Sequence, residues 1–214
     1  MKYQIIPVTP FQQNCSIIWC EATGSAAIVD PGGDAQQILD LVASLPIQVE
    51  KILLTHGHLD HAGAANAIKK TLDVPIVGPQ QEEVFWLNQI ASQANMFGFG
   101  EAENVEPDVW LNDGDYVDIG QERLLVLHTP GHTPGHVVFF NEQESLAIVG
   151  DVLFSGSIGR SDFPRGNHEQ LIHSIREKLF KLGDDIRFIP GHGPMSTFKR
   201  ERQINPFVAD RNFG

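Results

Sequence analysis

Residues 55–61 read Thr-His-Gly-His-Leu-Asp-His, directly after the apolar run Lys51-Ile52-Leu53-Leu54. Three imidazoles and one carboxylate crowd into this short stretch, and these are the ligand types that zinc and related divalent metals prefer. Groups packed this tightly along a chain cannot all face one point. Side chains on such a loop diverge, so His56 and His58 can serve one ion while Asp60 and His61 serve a second. The preceding run is short, apolar and rich in branched residues, which predicts a strand. The motif therefore opens a loop at the C-terminal end of that strand, where functional groups usually cluster.

Three more segments repeat this arrangement. Thr129–His136, TPGHTPGH, follows the apolar run RLLVLH. Gly150 and Asp151 end the run SLAIV. Pro190–Gly193, PGHG, ends RFI. Each brings a histidine or aspartate to the end of a strand with a glycine nearby, and glycine lets the backbone turn sharply and approach an ion. Packing alone does not explain four such loops.

Outward from these loops, KYQIIPV, CSIIWC, SAAIVD, PIVG and HVVFF also read as strands. Ile38, Leu41, Val42 and Leu45 recur at helical spacing, with Asp34 as the expected N-cap. His56 to Leu72, HGHLDHAGAANAIKKTL, runs from a loop into a helix. Pro79–Asn104 reads as helical and then irregular, its aromatic residues and Met96 packing as core or lid. His168–Lys181 is an amphipathic helix, with His168 as a cap and His173 on its face. Strands in both halves with helices between them predict packed sheets covered by helices. Cys15 and Cys20 stand an odd number of positions apart on one strand, hence on opposite faces. They are expected as buried free thiols, which fits a reducing cytoplasm.

The chain has 214 residues, and 15 Lys+Arg against 27 Asp+Glu give a formal charge of −12. Such a body repels phosphate backbones, so no nucleic acid is expected as partner. No export signal and no long apolar span is legible, so no membrane association is expected either.

In this order, the HxHxDH run, the PGHTPGH histidine, the GD aspartate and the PGHG histidine resemble the metallo-β-lactamase superfamily. The match spans Asp30 to His192. Within the superfamily, VDPGG at 29–33, HGHLDHAGA and FSGSIGRSDFPRGN at 154–167 resemble the glyoxalase II (hydroxyacylglutathione hydrolase) group, in its short bacterial form. The resemblance implies an α+β fold, an αββα sandwich of two mixed sheets packed face to face with helices outside, over a single domain, 1–214. It implies two divalent metal ions, zinc expected, with iron or manganese also fitting. His56, His58 and His132 would hold the first, Asp60, His61 and His192 the second, and Asp151 would bridge them. His136 would support the ligands from behind, His128 is a further candidate for such support, and Asp30 and Asp34 would shape the loop around the metal.

The activity implied is hydrolysis of a small thioester linked to glutathione, by a cytoplasmic monomer. Asp60 would orient the attacking water. A thiolate leaves with a pKa of about 8.5, so it needs little help from an acid. Full-length glyoxalase II enzymes bind glutathione partly through a C-terminal helical domain, and the tail after His192 is too short for one. Arg160 and Arg165 are therefore the expected substrate-binding cations, Arg160 having a structural pairing, with Asp162 or a ligand aspartate, as its alternative. The competing activities are a mono-iron persulfide dioxygenase, which shares the HxHxDH loop, and a β-lactamase. Zinc enzymes of the latter class commonly carry a cysteine where Asp151 stands. A complete set of seven ligands favours the dinuclear hydrolase.

Overall fold

The computed structural model describes residues 1–100 and 102–213; Glu101, inside the 79–104 segment, and Gly214 lie outside the described residues. One sheet runs in the order β1-β2-β3-β4-β5, from β1 (Lys2–Val8), β2 (Gln13–Trp19), β3 (Ser25–Val29), β4 (Gln48–Leu53) and β5 (Ile76–Val77). Its first three strands are antiparallel neighbours, and β3, β4 and β5 are parallel. The second sheet is assembled from β6 (Tyr116–Ile119), β7 (Glu122–His128), β8 (Val137–Asn141), β9 (Leu146–Gly150), β12 (Arg187–Pro190) and β13 (Ser196–Thr197), in the order β13-β12-β9-β8-β7-β6. Its β9–β12 pair is parallel and the others are antiparallel. A small hairpin of β10 (Leu153–Phe154) and β11 (Ser157–Ile158) stands apart.

Alternation along the strands explains the layering. Successive side chains of a strand face opposite sides. On β3, Ile28 packs outward with Ile38 of α1 (Ala35–Ser44) and Ile68 of α3 (Ala65–Leu72), while Ala27 and Val29 face the other sheet. On β8, Phe140 and Val138 pack outward with Leu171 of α6 (His168–His173), and Phe139 and Val137 face inward. Strands apolar on both faces are the signature of sheets covered on both sides. The architecture is thus helix, sheet, sheet, helix. The chain is completed by α2 (Leu59–Ala62), α4 (Val84–Leu87), α5 (Ile90–Phe97) and α7 (Phe198–Ile204). No helix among the described residues is long and apolar enough to cross a membrane.

Three local expectations change. Asp34 occupies the N-cap position of α1 in a left-handed conformation but makes no capping bond. Its Oδ2 instead accepts the Thr9 N–H at 2.7 Å, holding the turn between β1 and β2. The cap of α6 is Asn167, whose Oδ1 accepts from the Gln170 N–H, so His168 is already inside the helix. Beyond His173 the helix widens into a π-helical stretch, Ser174–Leu179, and tightens into a 3₁₀ turn, Phe180–Leu182. Cys15 and Cys20 are buried free thiols, as expected.

Phe139 is fully buried between the two sheets. Phe139→Ala is expected to lower the unfolding free energy by about 3–5 kcal/mol, measured by chemical denaturation.

Candidate metal centre

Four loops meet at one end of the sandwich. They follow β4, β7, β9 and β12, each at the strand's C-terminal end. The first is split by a change of backbone. His56 and His58 lie on extended chain, with His58 as the N-cap of α2, whereas Asp60 and His61 sit on the first turn of that helix. The turn swings the second pair of side chains away from the first.

Two groups of donors result. Nε2 of His56, Nδ1 of His58 and Nε2 of His132 cluster, with His58 Nδ1 at 3.1 Å from each of the other two. Asp60, His61 and His192 form the second cluster, with His192 Nε2 at 3.2 Å from Asp60 Oδ2. Asp151 lies between them. Its Oδ1 is 3.3 Å from His61 Nε2, and its Oδ2 is 3.6 Å from His192 Nε2 and 3.7 Å from His132 Nε2.

The donor chemistry fits cations. Three nitrogens bound to one tetrahedral zinc at about 2.0–2.1 Å would lie roughly 3.3 Å apart, close to the spacing of the first cluster. His61 Nε2 and Asp151 Oδ1 are buried with no hydrogen-bond partner. Buried polar atoms are normally satisfied, so these two facing atoms call for a shared proton or a cation between them.

The other ring nitrogens are held so that the lone pairs face inward. Asp30 is the hub of this support. Its Oδ1 accepts the Thr55 N–H at 2.7 Å, and its Oδ2 accepts from the Thr55 hydroxyl at 2.6 Å and from His61 Nδ1–H at 2.9 Å. The Thr55 hydroxyl in turn accepts from His56 Nδ1–H at 3.0 Å. His132 Nδ1–H donates to the Arg160 carbonyl at 2.7 Å, and His192 Nδ1–H to the Phe11 carbonyl at 3.2 Å. Such partners fix the tautomer and the ring orientation of metal-binding histidines. His136 stacks on His56 with ring centroids 4.7 Å apart, and its Nε2 accepts the Asp151 N–H at 3.1 Å. His128 touches none of these groups; its Nε2–H donates to the Pro134 carbonyl and braces the loop.

The electrostatics of the two clusters differ. Burial, reinforced by the other imidazoles, pushes His56 well below its ordinary pKa, and burial and His132 push His58 down to about 3. The three-histidine cluster is therefore neutral. In the second cluster burial is outweighed by charge pairing. Asp151 and Asp60 hold His61 well above its usual value, and the same imidazole keeps both carboxyls below theirs.

Some contributors were not legible in the sequence. Asn14, on β2, clamps the PGHG loop: its N–H donates to the Gly191 carbonyl at 2.7 Å, and its side-chain amide to the carbonyls of Pro190 and Gly193. A Cβ on Gly191 would collide with Asp151 Oδ1, which explains the glycine of that loop. Glu83 is buried beneath two ligand loops, and burial lifts its carboxyl to about 7. In the sequence it was one of two adjacent acids, Glu82 and Glu83, beside the aromatic run VFWL, and nothing there set it apart. Of that stretch, Trp86 and Leu87 are buried, and the Trp86 ring meets His58 edge-on at 4.5 Å, with Phe163 5.2 Å from the same imidazole. Met96 and Phe97, expected as packed core or lid, are exposed.

The two arginines part company. Arg160 makes a double ion pair with Asp162, both bonds at 2.9 Å, and its guanidinium lies over the Phe163 ring at 4.3 Å. The Arg165 guanidinium lies over the Phe85 ring at 4.2 Å.

The metallo-beta-lactamase superfamily profile matches residues 8–192. A hydroxyacylglutathione hydrolase, GloC, of Haemophilus influenzae is 45% identical over 213 residues, covering 99% of this chain and 100% of the relative. Among solved structures, the B3 metallo-beta-lactamase BLEG-1 superposes with a TM-score of 0.89 at 33% identity, covering 97% of this chain and 99% of its own. TTHA1623, solved in a di-iron-bound form, superposes with a TM-score of 0.86 at 30% identity, covering 96% of this chain and 100% of its own.

Asp30→Ala strips partners from Thr55 and His61 together. The expected outcome is a 10- to 100-fold loss of metal affinity, the usual range for such supporting groups, measured by chelator competition. Because Asp151 and Asp60 raise the His61 pKa well above its ordinary value, metal at the second cluster should compete with protons and bind more tightly as pH rises. Titration at several pH values checks the sign.

Proposed function

We propose that this chain, which belongs to the metallo-beta-lactamase superfamily, is a dinuclear-metal hydrolase of thioesters, with S-D-lactoylglutathione as its substrate. The observation that carries the reading is the position of Asp151, whose carboxylate faces both donor clusters at 3.3–3.7 Å. The identity of the substrate is supported by the hydroxyacylglutathione hydrolase that is 45% identical end to end. The proposed ligands are His56, His58 and His132 for one ion, Asp60, His61 and His192 for the other, and Asp151 for both. Zinc is the expected metal, and the di-iron form of TTHA1623 makes iron the alternative.

Held by these residues, two divalent cations would supply an activated water at neutral pH and a Lewis acid for the thioester carbonyl. The chain's own groups do the rest. Asp60 is ionised and only partly buried, so its carboxylate can accept a proton of the water and aim a lone pair at the carbonyl carbon. Trp86 and Phe163 form an apolar wall beside His58 that limits water around the thioester. The departing sulfur leaves as a thiolate, and the acyl carbon keeps the new oxygen, giving D-lactate and glutathione. Arg165 receives a glutathione carboxylate at the rim, whereas Arg160 is committed to Asp162. The two buried thiols fit work in a reducing cytoplasm, with a free small molecule as the partner.

Steady-state hydrolysis of S-D-lactoylglutathione, beside other thioesters and nitrocefin, tests the proposal. Turnover of the glutathione thioester with two metal equivalents per chain is expected. Turnover of nitrocefin alone would replace the substrate class. His132→Ala should lower kcat/KM by more than about a hundredfold, beyond the range for supporting residues. Arg165→Ala should raise KM about tenfold, and Arg160→Ala should leave it nearly unchanged.

A further inference from the structure

Glu83 has no place in the reading above, yet it is fully buried. It stands at the end of a 3₁₀ turn, Gln81–Glu83, that leads into α4. Its Oε2 accepts the Gly57 N–H at 2.9 Å, and its Oε1 accepts the Gly135 N–H at 2.8 Å. Gly57 lies between His56 and His58, and Gly135 lies between His132 and His136. One carboxylate therefore joins the two loops that carry the three-histidine cluster. The Gln80 N–H adds a third tie, to the Gly135 carbonyl at 3.1 Å.

The glycines are matched to this staple. A Cβ on Gly57 would stand 2.9 Å from the Trp86 Cβ and 3.0 Å from Glu83 Oε2. A Cβ on Gly135 would stand 2.6 Å from the Gln80 carbonyl and 2.8 Å from Glu83 Cγ. Both loops press their backbone onto the acid, and no side chain fits between.

A buried carboxylate is expensive unless it is paired, and no cationic side chain is bonded to Glu83 among the described residues. Two backbone N–H groups facing one side chain require two acceptors. A carboxylate has them. An amide has one, and its NH₂ would face the other N–H.

We infer that Glu83 is a positioning residue for the three-histidine metal: by tying the Gly57 and Gly135 backbones together it sets the spacing of His56 and His58 against His132. This rests on the dinuclear reading. The test compares wild type with Glu83→Gln and Glu83→Asp. The readouts are two-site metal affinities by chelator competition, the absorption spectrum of the cobalt-loaded protein, and the melting temperature of the metal-free protein. Glu83→Gln should lose 10- to 100-fold in affinity at one site only. The other site should stay within about threefold, the cobalt bands of the weakened site should shift, and the metal-free protein should melt within a few degrees of wild type. Glu83→Asp, too short to reach both loops, should show the same selective loss, and it decides the matter if Glu83→Gln does not fold. Equal affinities and unchanged bands in the variants would overturn the inference. So would an equal loss at both sites accompanied by a collapse of the metal-free melting temperature, which marks a merely structural role. A wild type that takes up no metal overturns the dinuclear reading and this inference with it.

Discussion

Asp151 and His61 confront each other at 3.3 Å in the interior, with Asp151 Oδ1 and His61 Nε2 lacking any hydrogen-bond partner. Everything else at this end of the molecule follows from that constraint. Lone pairs held away from water must be met by a proton or by a metal ion. A proton on His61 can meet one of them. It cannot meet the three neutral imidazoles that converge on their own point a few ångströms away. The arrangement is one that a pair of cations completes and that packing alone would not maintain.

Holding such groups together requires support from both halves of the fold. Thr55 and Val137 link the first ligand loop to the start of β8 through a bond of 2.8 Å from the Val137 N–H to the Thr55 carbonyl. Asp30 fixes the rings of His56 and His61 from the first sheet. Asn14 reaches from that sheet to the loop of His192, on the second. Glu83 and His136 close the remaining sides. These supports are polar, buried except for the half-buried Asn14, and each has its partners, which is the condition under which a buried network adds rigidity instead of strain. The sandwich places the C-terminal ends of β4, β7, β9 and β12 together, so short loops are enough to bring the donors within reach.

The mouth above the clusters is mostly aromatic on the three-histidine side, with Trp86 and Phe163 against His58. Two guanidinium groups lie over rings beside it, Arg160 over Phe163 at 4.3 Å and Arg165 over Phe85 at 4.2 Å. The pairing of Arg160 with Asp162 leaves Arg165 as the arginine of that loop without a carboxylate partner among the described residues.

The strands and their period were readable because apolar alternation is a local property, and so were the histidines and aspartates, because HxHxDH, TPGHTPGH, GD and PGHG are contiguous runs at strand ends. Which donors share a centre was suggested by the family resemblance; the structure adds the half-turn of α2 that separates His56 and His58 from Asp60 and His61. Asn14, Glu83, the commitment of Arg160 to Asp162 and the uncapped start of α1 were hidden. Each depends on which backbone N–H or carbonyl, or which distant side chain, lies within 3 Å of a polar group once the sheets have packed. The ligand types and their order were therefore written in the chain itself. Their convergence, tautomers and supports were decided only in three dimensions, because hydrogen-bond partners far apart in sequence meet nowhere else.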